Sequence, residues 1–317
     1  MLASDIPTFA HGLGVAGYEA VLGGRMHFVG PDQRHGFERR IVGDVLSPFP
    51  GGPPPDLGSV PTVTTGQSRE GVEISGPGRT AYQAYDVAVT DACCWYLEAR
   101  DRTGGDRPFC LVVGYVLPHC PFICPKRLYD EYFDRVDIPQ VPPDYMDRLH
   151  PAVRLWRERR GVNGLEEEAV RRARAAYYGL VTFMDEQIGR LLETLSEASF
   201  REDTAVVYVS DHGEMVGEHG MWWKSSFYEG SARVPMIWSW PGRFGEGRVP
   251  RVTSLLDVGP TLLDLAGADP LPGVSGRSLA GFLRGSGEVA GRTRRSRRMS
   301  PGGWSGPDGW SGRGRGS

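Results

Sequence analysis

An acid and an imidazole stand side by side where a short apolar run ends. The run is VVYV over residues 206–209, and Ser210, Asp211, His212 and Gly213 follow it directly. In open α/β sheets the ligand crevice lies beyond the carboxyl ends of the strands, where adjacent Asp and His side chains can share a divalent cation. The alternative is a turn in which Asp211 caps the backbone and His212 is solvated. We expect Gly213 to let the backbone turn sharply.

A basic side chain follows this pair in an aromatic setting. Residues 217–224 read GEHGMWWK, so that two tryptophans come directly before Lys224. A lone lysine is ordinarily solvated, but these neighbours indicate that Lys224 is partly desolvated, where a fixed charge acts more strongly. The segment from Asp211 to Lys224 therefore predicts a site for a cation and an anion together.

A second apolar run also delivers a histidine at its end. Residues 110–116 are apolar and lead through Leu117 and Pro118 to His119. The same position beyond a strand predicts that His119 faces the ligand crevice. A rigid turn between two prolines, with no role for the imidazole, is the alternative.

These residues need a sheet with helices around it. Short apolar runs predict strands at 19–22, 110–116, 205–209 and 234–239. Apolar residues at three-to-four spacing predict helices at 82–99, 166–195 and 257–266. Strands that alternate with helices of this length are typical of an α/β fold with a largely parallel central sheet. The proline-rich stretches 49–63 and 137–151 are expected to be ordered surface loops.

The composition fits one large α/β domain or two smaller ones. The chain has 317 residues, 40% of them hydrophobic, and a formal net charge of −3, which points to no nucleic acid or other polyanionic partner. The longest apolar stretch is too short to span a membrane. Without a recognisable signal peptide, a cytoplasmic location is expected. The five cysteines lack a metal-binding spacing and are predicted to be reduced and mostly buried.

Three segments of the chain resemble the sulfatase family of the alkaline-phosphatase superfamily. They are PTFAHGLGVAGYEAVLGGRMHFVGPDQRHGF at 7–37, LPHCPF at 117–122, and the stretch from SDHGE at 210–214 through GEHGMWWK to RVPMI at 233–237. The last matches the family pattern almost without a break. The resemblance implies an alkaline-phosphatase-like α/β/α layered sandwich. Within the family, the chain is most similar to bacterial choline-sulfatase-like and arylsulfatase-type members.

The resemblance also implies roles for individual residues. Asp211 and His212 are then metal ligands, with calcium expected and magnesium or manganese tolerated. Lys224 contacts the sulfate oxygens. His119 binds the sulfate and protonates the departing alkoxide, for which an intrinsic pKa near neutrality is suitable.

Two further site residues are implied by the segment 7–37. His27 corresponds to the imidazole near the nucleophile, and Arg25 stands where the family usually has a lysine. Arginine keeps the positive charge but is bulkier and does not release a proton at ordinary pH. Arg233 is expected to pair with a carboxylate, and His219 is expected to be structural.

Two elements of the family pattern are missing from the sequence. Sulfatases carry an earlier strand that ends in two adjacent aspartates, and a C/S-x-P-S-R motif whose first residue becomes the formylglycine nucleophile; neither occurs here. We therefore expect 1–283 to be a partial, N-terminally truncated sulfatase domain with little or no activity alone. The Gly/Arg-rich remainder, 284–317, is expected to be disordered, a nucleic-acid-binding tail being the alternative.

The sequence thus predicts a sulfuric ester hydrolase that acts on a small organic sulfate ester. Two alternatives stay open. A phosphodiester or phosphonate-ester hydrolase of the same superfamily would share the Asp-His pair and the lysine. A degraded fragment without enzymatic activity would keep the same motifs by descent.

Overall fold

The structure of the protein is a computed structural model that describes residues 3–28, 30–45, 66–249 and 251–285. Within these ranges the α-helices are α1 (Phe9–Val15), α2 (Arg69–Glu73), α3 (Ala81–Thr103), α4 (Lys126–Phe133), α5 (Pro151–Arg160), α6 (Glu167–Glu197), α7 (Glu229–Ala232), α8 (Val258–Leu265) and α9 (Ala280–Leu283). The strands are β1 (Glu19–Gly24), β2 (Arg39–Val42), β3 (Gly76–Pro77), β4 (Phe109–Gly114), β5 (Ile123–Cys124), β6 (Val206–Val209) and β7 (Met236–Ser239).

A three-stranded parallel sheet carries the first half of the fold. Its strand order is β2-β1-β4, with Val21 opposite Arg39 in β2 and opposite Leu111 in β4. Parallel pairs need crossover connections, and α3 lies between β2 and β4 in the chain. The carboxyl ends of β1 and β4 therefore lie side by side, and the loops that follow them begin next to each other.

Helices cover both faces of this sheet. Successive side chains of a strand point to opposite faces. Leu22 packs with Ala10 of α1 on one face, whereas Val21 packs with Tyr96 of α3 and Leu195 of α6 on the other. Burial on both sides explains why β1 reads as a continuous apolar run rather than an alternating one. The layered α/β/α arrangement expected from the sequence is present here.

The strands β6 and β7 pair with each other in the antiparallel sense. Val206 lies opposite Ser239 and Val209 opposite Met236. The chain between them contains only the four-residue helix α7 and a short 3₁₀ turn, and so lacks the long helix that usually carries a parallel crossover. This pair is the exception to the largely parallel arrangement, because β3 and β5 are also parallel.

The strands and helices predicted from the sequence are confirmed with shifted ends. The four strands are β1, β4, β6 and β7, and the three helices are α3, α6 and α8. The shorter elements were not predicted; they are α1, α2, α4, α5, α7, α9, β2, β3 and β5. They are too short for a recognisable period.

The main core lies between α3, α6 and the aromatic loop before Lys224. Trp222 and Trp223 are each 1% exposed and pack with Phe122 and Leu180. Burying a large aromatic side chain contributes on the order of 2–3 kcal/mol, so these two tryptophans fix the loop to the body of the domain. Because Lys224 follows Trp223 directly, the buried tryptophans also restrict the position of its backbone.

The remaining sequence expectations concern the cysteines, the loops and the tail. All five cysteines are free, and all except Cys110 are buried, as expected. The loop 137–151 is ordered and contains a 3₁₀ turn at Pro143–Tyr145. The whole of the loop 49–63, and all of the tail 284–317 except its first two residues, lie outside the described residues. In the described part of the chain, the helices are too short or too polar to cross a membrane.

Candidate functional site

Asp211 and His212 lie immediately beyond β6. The carboxylate of Asp211 accepts a hydrogen bond from the backbone N–H of His212 at 3.0 Å and lies 3.5 Å from Nε2 of its ring. The ring Nδ1 lies 2.8 Å from the carbonyl oxygen of Gly213. A carbonyl oxygen only accepts, so Nδ1 carries the proton and Nε2 presents its lone pair. The side chain of Asp211 is 84% exposed, so its carboxylate is accessible to a ligand.

Lys224 reaches the same imidazole. Its Nζ lies 2.8 Å from Nε2 of His212, to which it donates. The residues on either side of it, Trp223 and Ser225, have φ angles of 59° and 74°, a left-handed conformation that non-glycine residues seldom adopt. Such strain persists only where the surroundings impose it, and here the burial of Trp223 does so. The loop therefore holds the ammonium in one place.

A buried acid that the sequence did not single out organises this loop. Glu214 accepts hydrogen bonds from the backbone N–H groups of Val216 and Trp223. Burial raises the pKa of Glu214 to about 7, although these hydrogen bonds act in the opposite direction. Because one of the two amides belongs to the residue before Lys224, Glu214 fixes the start and the end of the loop together. In the sequence, the feature that could have identified Glu214 is its position directly after Gly213.

Gly213 is required for a different reason than expected. Its φ angle is not left-handed; instead, a Cβ atom here would collide with the carbonyl oxygen of Gly230. The backbone N–H of Gly213 donates to the carbonyl of Ser231 at 2.8 Å. The glycine thus allows two chain segments to touch rather than allowing a sharp turn.

Arg25 and His27 lie in the loop after β1, held by a second buried acid. Arg25 Nη2 donates to Nδ1 of His27 at 2.8 Å, and the His27 φ angle of 57° brings the two side chains to the same side. Asp44 accepts the backbone N–H of His27 at 2.9 Å and lies 3.6 Å from Arg25 and 3.7 Å from the buried Arg40. No motif in the sequence points to Asp44, because it lies 17 residues beyond His27.

Close backbone contact joins this loop to the end of β4. The backbone N–H of Arg25 donates to the carbonyl of Gly114 at 2.8 Å. A Cβ atom on Gly114 would collide with the carbonyl oxygen of Arg25, and one on Gly24 would collide with that of Gly114. Two glycines at the ends of neighbouring strands therefore bring the Arg25 loop against the segment that leads to His119.

His119 lies beyond β4 and is held on both sides. Its Nδ1 donates to the carbonyl oxygen of Cys120 at 2.7 Å, which leaves Nε2 as the reactive nitrogen. The ring of Tyr82, on α3, meets the imidazole edge to face with centroids 6.0 Å apart. His119 thus has one fixed tautomer and one fixed orientation in its neutral form.

The pKa of His119 depends on residues that follow three different strands. Burial lowers its pKa from 6.5, its hydrogen bond to Cys120 partly offsets this, and the charges of Lys224, Arg25 and His212 lower it further. These three side chains therefore lie within Coulombic range of the imidazole. The structure thus brings Arg25, Lys224 and His212 together near His119, and His27 joins them through Arg25. Several basic groups against the single exposed acid Asp211 favour an anion.

The metal ligands inferred from the sequence are adjacent but few. A carboxylate oxygen and an imidazole nitrogen are suitable donors for a divalent cation. Calcium, however, takes 6–8 oxygen ligands, and the described residues contain no group of three or more His, Cys, Asp or Glu side chains that could hold a metal. Asp211 and His212 therefore fit a metal in kind, but they do not complete a coordination shell.

The two residues expected to be structural have other partners. Arg233 lies 3.8 Å from Glu229, and both side chains are exposed. The ring of His219 stacks on Tyr228 with centroids 4.5 Å apart. Neither residue joins the group around His119.

Comparison with known proteins gives matches over most of this chain. The family model described as Sulfatase matches residues 6–268. Choline-sulfatase of Rhizobium meliloti (strain 1021) is 36% identical over 301 residues, which is 89% of this chain and 57% of that protein. Arylsulfatase of Clostridium perfringens (strain 13 / Type A) is 38% identical over 194 residues, or 59% of this chain and 39% of that protein.

Solved structures show the same fold. The phosphonate monoester hydrolase SpPMH from Silicibacter pomeroyi superposes with a TM-score of 0.68 at 26% identity, covering 90% of this chain and 62% of that one. The chain spans little more than half the length of the choline-sulfatase that it matches. The alkaline-phosphatase-like α/β class expected from the sequence is confirmed by these neighbours. Sulfatases generally use a divalent metal. The family match includes every residue of the candidate site, and the chain belongs to the sulfatase family.

Proposed function

We propose that this chain forms the sulfate-binding part of a sulfuric ester hydrolase that acts on a small organic sulfate ester. The observation that carries the proposal is geometric: Lys224 reaches His212 at 2.8 Å, and the backbone of Arg25 is hydrogen-bonded to Gly114 at the end of β4, the strand that leads to His119. A sulfate ester presents a singly charged group with three terminal oxygens, and fixed cations in a partly desolvated setting bind such a group well.

Lys224 and Arg25 differ in what they contribute. Lys224 is a compact charge with three donors, of which one is used on His212, so further donors are available to sulfate oxygens. Arg25 is tied to His27 and Asp44, so we assign it to setting the local field and orienting His27. An arginine here serves binding rather than proton transfer.

His119 supplies the proton for the departing alkoxide. Burial and the neighbouring cations keep its pKa below the ordinary value, so the free protein holds it neutral at pH 7. A bound sulfate ester places negative charge beside Nε2 and raises that pKa, which favours the protonated form when substrate is present. Nδ1 keeps its proton throughout and donates it in a hydrogen bond to the carbonyl oxygen of Cys120. Proton transfer to the leaving group therefore occurs at Nε2.

A divalent metal, which we propose to be calcium, with magnesium or manganese as substitutes, would bind at Asp211 and His212. When bound, it would polarise a sulfate oxygen. Since these two side chains supply only part of a coordination shell, we expect weak metal binding by this chain. Lys224 also competes for Nε2 of His212.

A sulfate-binding titration tests the proposal. Inorganic sulfate is added to the purified chain and the tryptophan fluorescence is followed, because Trp222 and Trp223 adjoin Lys224. Lys224→Met should weaken sulfate binding at least about tenfold, the loss expected for one charge-assisted hydrogen bond. Lys126→Met, which removes a 75% exposed lysine of α4, is the matched control and should change nothing. Equal affinity in the two variants contradicts the proposal.

One neighbour favours a second candidate, a phosphonate-ester hydrolase. It is the phosphonate monoester hydrolase from Silicibacter pomeroyi, whose fold matches most of this chain. Comparing inorganic sulfate with methylphosphonate in the same titration separates the two. Tighter binding of methylphosphonate favours the second candidate and contradicts the first.

Turnover by this chain is expected to be very low. The sequence has no C/S-x-P-S-R motif from which the formylglycine nucleophile could form, and losing the nucleophile of a covalent mechanism commonly costs many orders of magnitude. Hydrolysis of p-nitrophenyl sulfate at a rate typical of enzymes, about 1–10³ per second, contradicts this expectation. The cytoplasmic location and the lack of nucleic-acid or membrane partners stay predictions.

A further inference from the structure

One face of α3 contacts the whole segment that leads from β4 to His119. Tyr82, Asp86 and Thr90 are spaced four residues apart, so they lie on the same side of the helix and form what we call the α3 stripe. Tyr82 meets the ring of His119, and Thr90 accepts a hydrogen bond from the hydroxyl of Tyr115 at 3.1 Å. The stripe thus contacts the segment at its first and last residues.

Asp86 holds the middle of this segment. Its Oδ1 accepts the backbone N–H of Val116 and its Oδ2 that of Leu117, both at 2.9 Å. The residue is 0% exposed, and both amide groups belong to buried residues. Each oxygen therefore satisfies one buried backbone N–H group just beyond the end of β4. The two bonds fix the direction in which the chain leaves β4.

Burying an acidic side chain at this position costs free energy. Burial raises the pKa of Asp86 to about 7, against the lowering effect of its two backbone hydrogen bonds and of Arg25. Its two hydrogen-bond partners, Val116 and Leu117, belong to the main hydrophobic core, so an apolar side chain would pack here without a desolvation cost of its own. A carboxylate, however, offers a separate acceptor oxygen to each of the two neighbouring N–H groups. The cost is offset by the conformation that it imposes on the backbone.

That conformation is passed on to the imidazole over two residues. The backbone N–H of His119 donates to the carbonyl of Val116 at 3.2 Å, closing a turn on the residue that Asp86 holds. The ring is then fixed by Cys120 and Tyr82. Displacing the amide of Val116 displaces this turn, and the position of Nε2 changes with it.

We propose that Asp86 is the positioning residue of His119, acting through the backbone of Val116 and Leu117. This inference rests on the proposed role of His119 in sulfate binding. Asp86 does not touch the anion; it determines where Nε2 lies relative to Lys224.

The test compares two carboxylates of α3. Asp86→Asn is nearly isosteric, but its NH₂ group faces one of the two backbone N–H donors, so one of the two hydrogen bonds is lost. Asp91→Asn, the matched control, alters an exposed acid of the same helix that pairs with Arg190. The His119 ring resonance is followed by NMR as a function of pH, and the dissociation constant for inorganic sulfate is measured alongside.

Loss of one of these hydrogen bonds should change both measurements. In Asp86→Asn we expect a displaced His119 resonance, a His119 pKa closer to its ordinary value because the ring is less enclosed, and sulfate binding weakened by about tenfold. Asp91→Asn should reproduce the unaltered chain. If Asp86→Asn lowers the urea midpoint but leaves the His119 resonance, its pKa and sulfate binding unchanged, the role of Asp86 is structural and the inference is overturned.

A second variant covers failure of Asp86→Asn to fold. Asp86→Glu keeps the carboxylate and moves it by one methylene, so it should retain the fold and still displace the His119 resonance; an unchanged resonance overturns the inference. The NMR result does not depend on anion binding. If the unaltered chain binds no sulfate, the proposed function fails, while the His119 resonance still decides the role of Asp86.

Discussion

The two halves of the candidate site are built with very different degrees of burial. The β1–β4 half consists of Arg25, His27 and His119, and the β6 half consists of Asp211, His212 and Lys224. In the β1–β4 half the supporting acid Asp44 has a side chain that is 3% exposed, whereas Asp211 at the end of β6 is 84% exposed.

The strands beneath them differ in the same way. Leu22 in β1 is 0% exposed, because β1 has a strand on either side and helices on both faces. Ile237 in β7 is 58% exposed, because β7 pairs only with β6 in the described part of the chain. In the β6 half, the position of a site residue therefore depends on its loop. The β6 half keeps its order through Glu214 and the buried tryptophans rather than through its strands.

The strongest test of this contrast removes one acid from each half. Asp44→Ala should lower the free energy of unfolding by about 3–5 kcal/mol, because it leaves the buried Arg40 without its carboxylate. Asp211→Ala, on an exposed side chain, should change it by less than about 0.5 kcal/mol. Urea unfolding of both variants decides, and similar losses would remove the distinction between the halves.

The strands can be compared by the same measurement. Leu22→Ala should cost about 2–5 kcal/mol, as expected for a leucine that is fully enclosed between two helical layers. Ile237→Ala should cost about 1 kcal/mol or less, since most of the side chain already contacts water. A large loss at Ile237 would mean that β7 contributes more to the core than its exposure indicates.

The buried acids of the two halves should act alike on pH dependence. Burial raises the pKa values of Asp86 and Glu214 to about 7, from ordinary values of 3.8 and 4.5. Between those limits the folded state binds more protons than the unfolded state, so the free energy of unfolding falls as pH rises from about 5 to about 7. His119, with its lowered pKa, acts in the opposite direction below 6.5.

Unfolding by urea at several pH values, without added metal, measures this slope. The exposed acids with lowered pKa values exert their effect at more acidic pH and do not mask it. Substituting Asp86→Asn should flatten the slope. A free energy of unfolding that rises steadily from pH 5 to pH 7 would contradict the raised pKa values of Asp86 and Glu214.

The smallest effect is expected from relieving strain beside Lys224. Ser225 has a φ angle of 74°, which glycine adopts freely, so Ser225→Gly should stabilise the chain by at most about 1 kcal/mol. Ser275→Gly, on an exposed serine outside the site, provides a control for the added flexibility of glycine. A clear destabilisation by Ser225→Gly would show that the serine side chain, and not the backbone, holds this loop.

Much of the site could be predicted because its residues follow strands directly. Asp211, His212 and His119 are recognisable from short motifs, and Lys224 from its aromatic neighbours. The residues that hold them could not be found in this way. Asp86 lies 30 residues before Val116, and Asp44 lies 17 residues after His27, so both pairings depend on the fold.

The fold was predictable to a similar degree. Long apolar periods predicted α3 and α6, which form much of the core. The apolar runs of β6 and β7 were recognised, but a run of residues contains no information on strand direction. Only the lack of a long crossover helix between them explains the antiparallel pairing.

The spacing of the α3 stripe restricts how this part of the gene can change. Tyr82, Asp86 and Thr90 reach three consecutive parts of one segment because an α-helix turns by about 100° and rises by about 1.5 Å for each residue. A substitution elsewhere on α3 leaves that phase intact. Inserting or deleting a single codon between Tyr82 and Thr90 rotates one of the three contacts away from the segment. Relatives that retain a working His119 should therefore vary in sequence along this helix and keep its length between these positions.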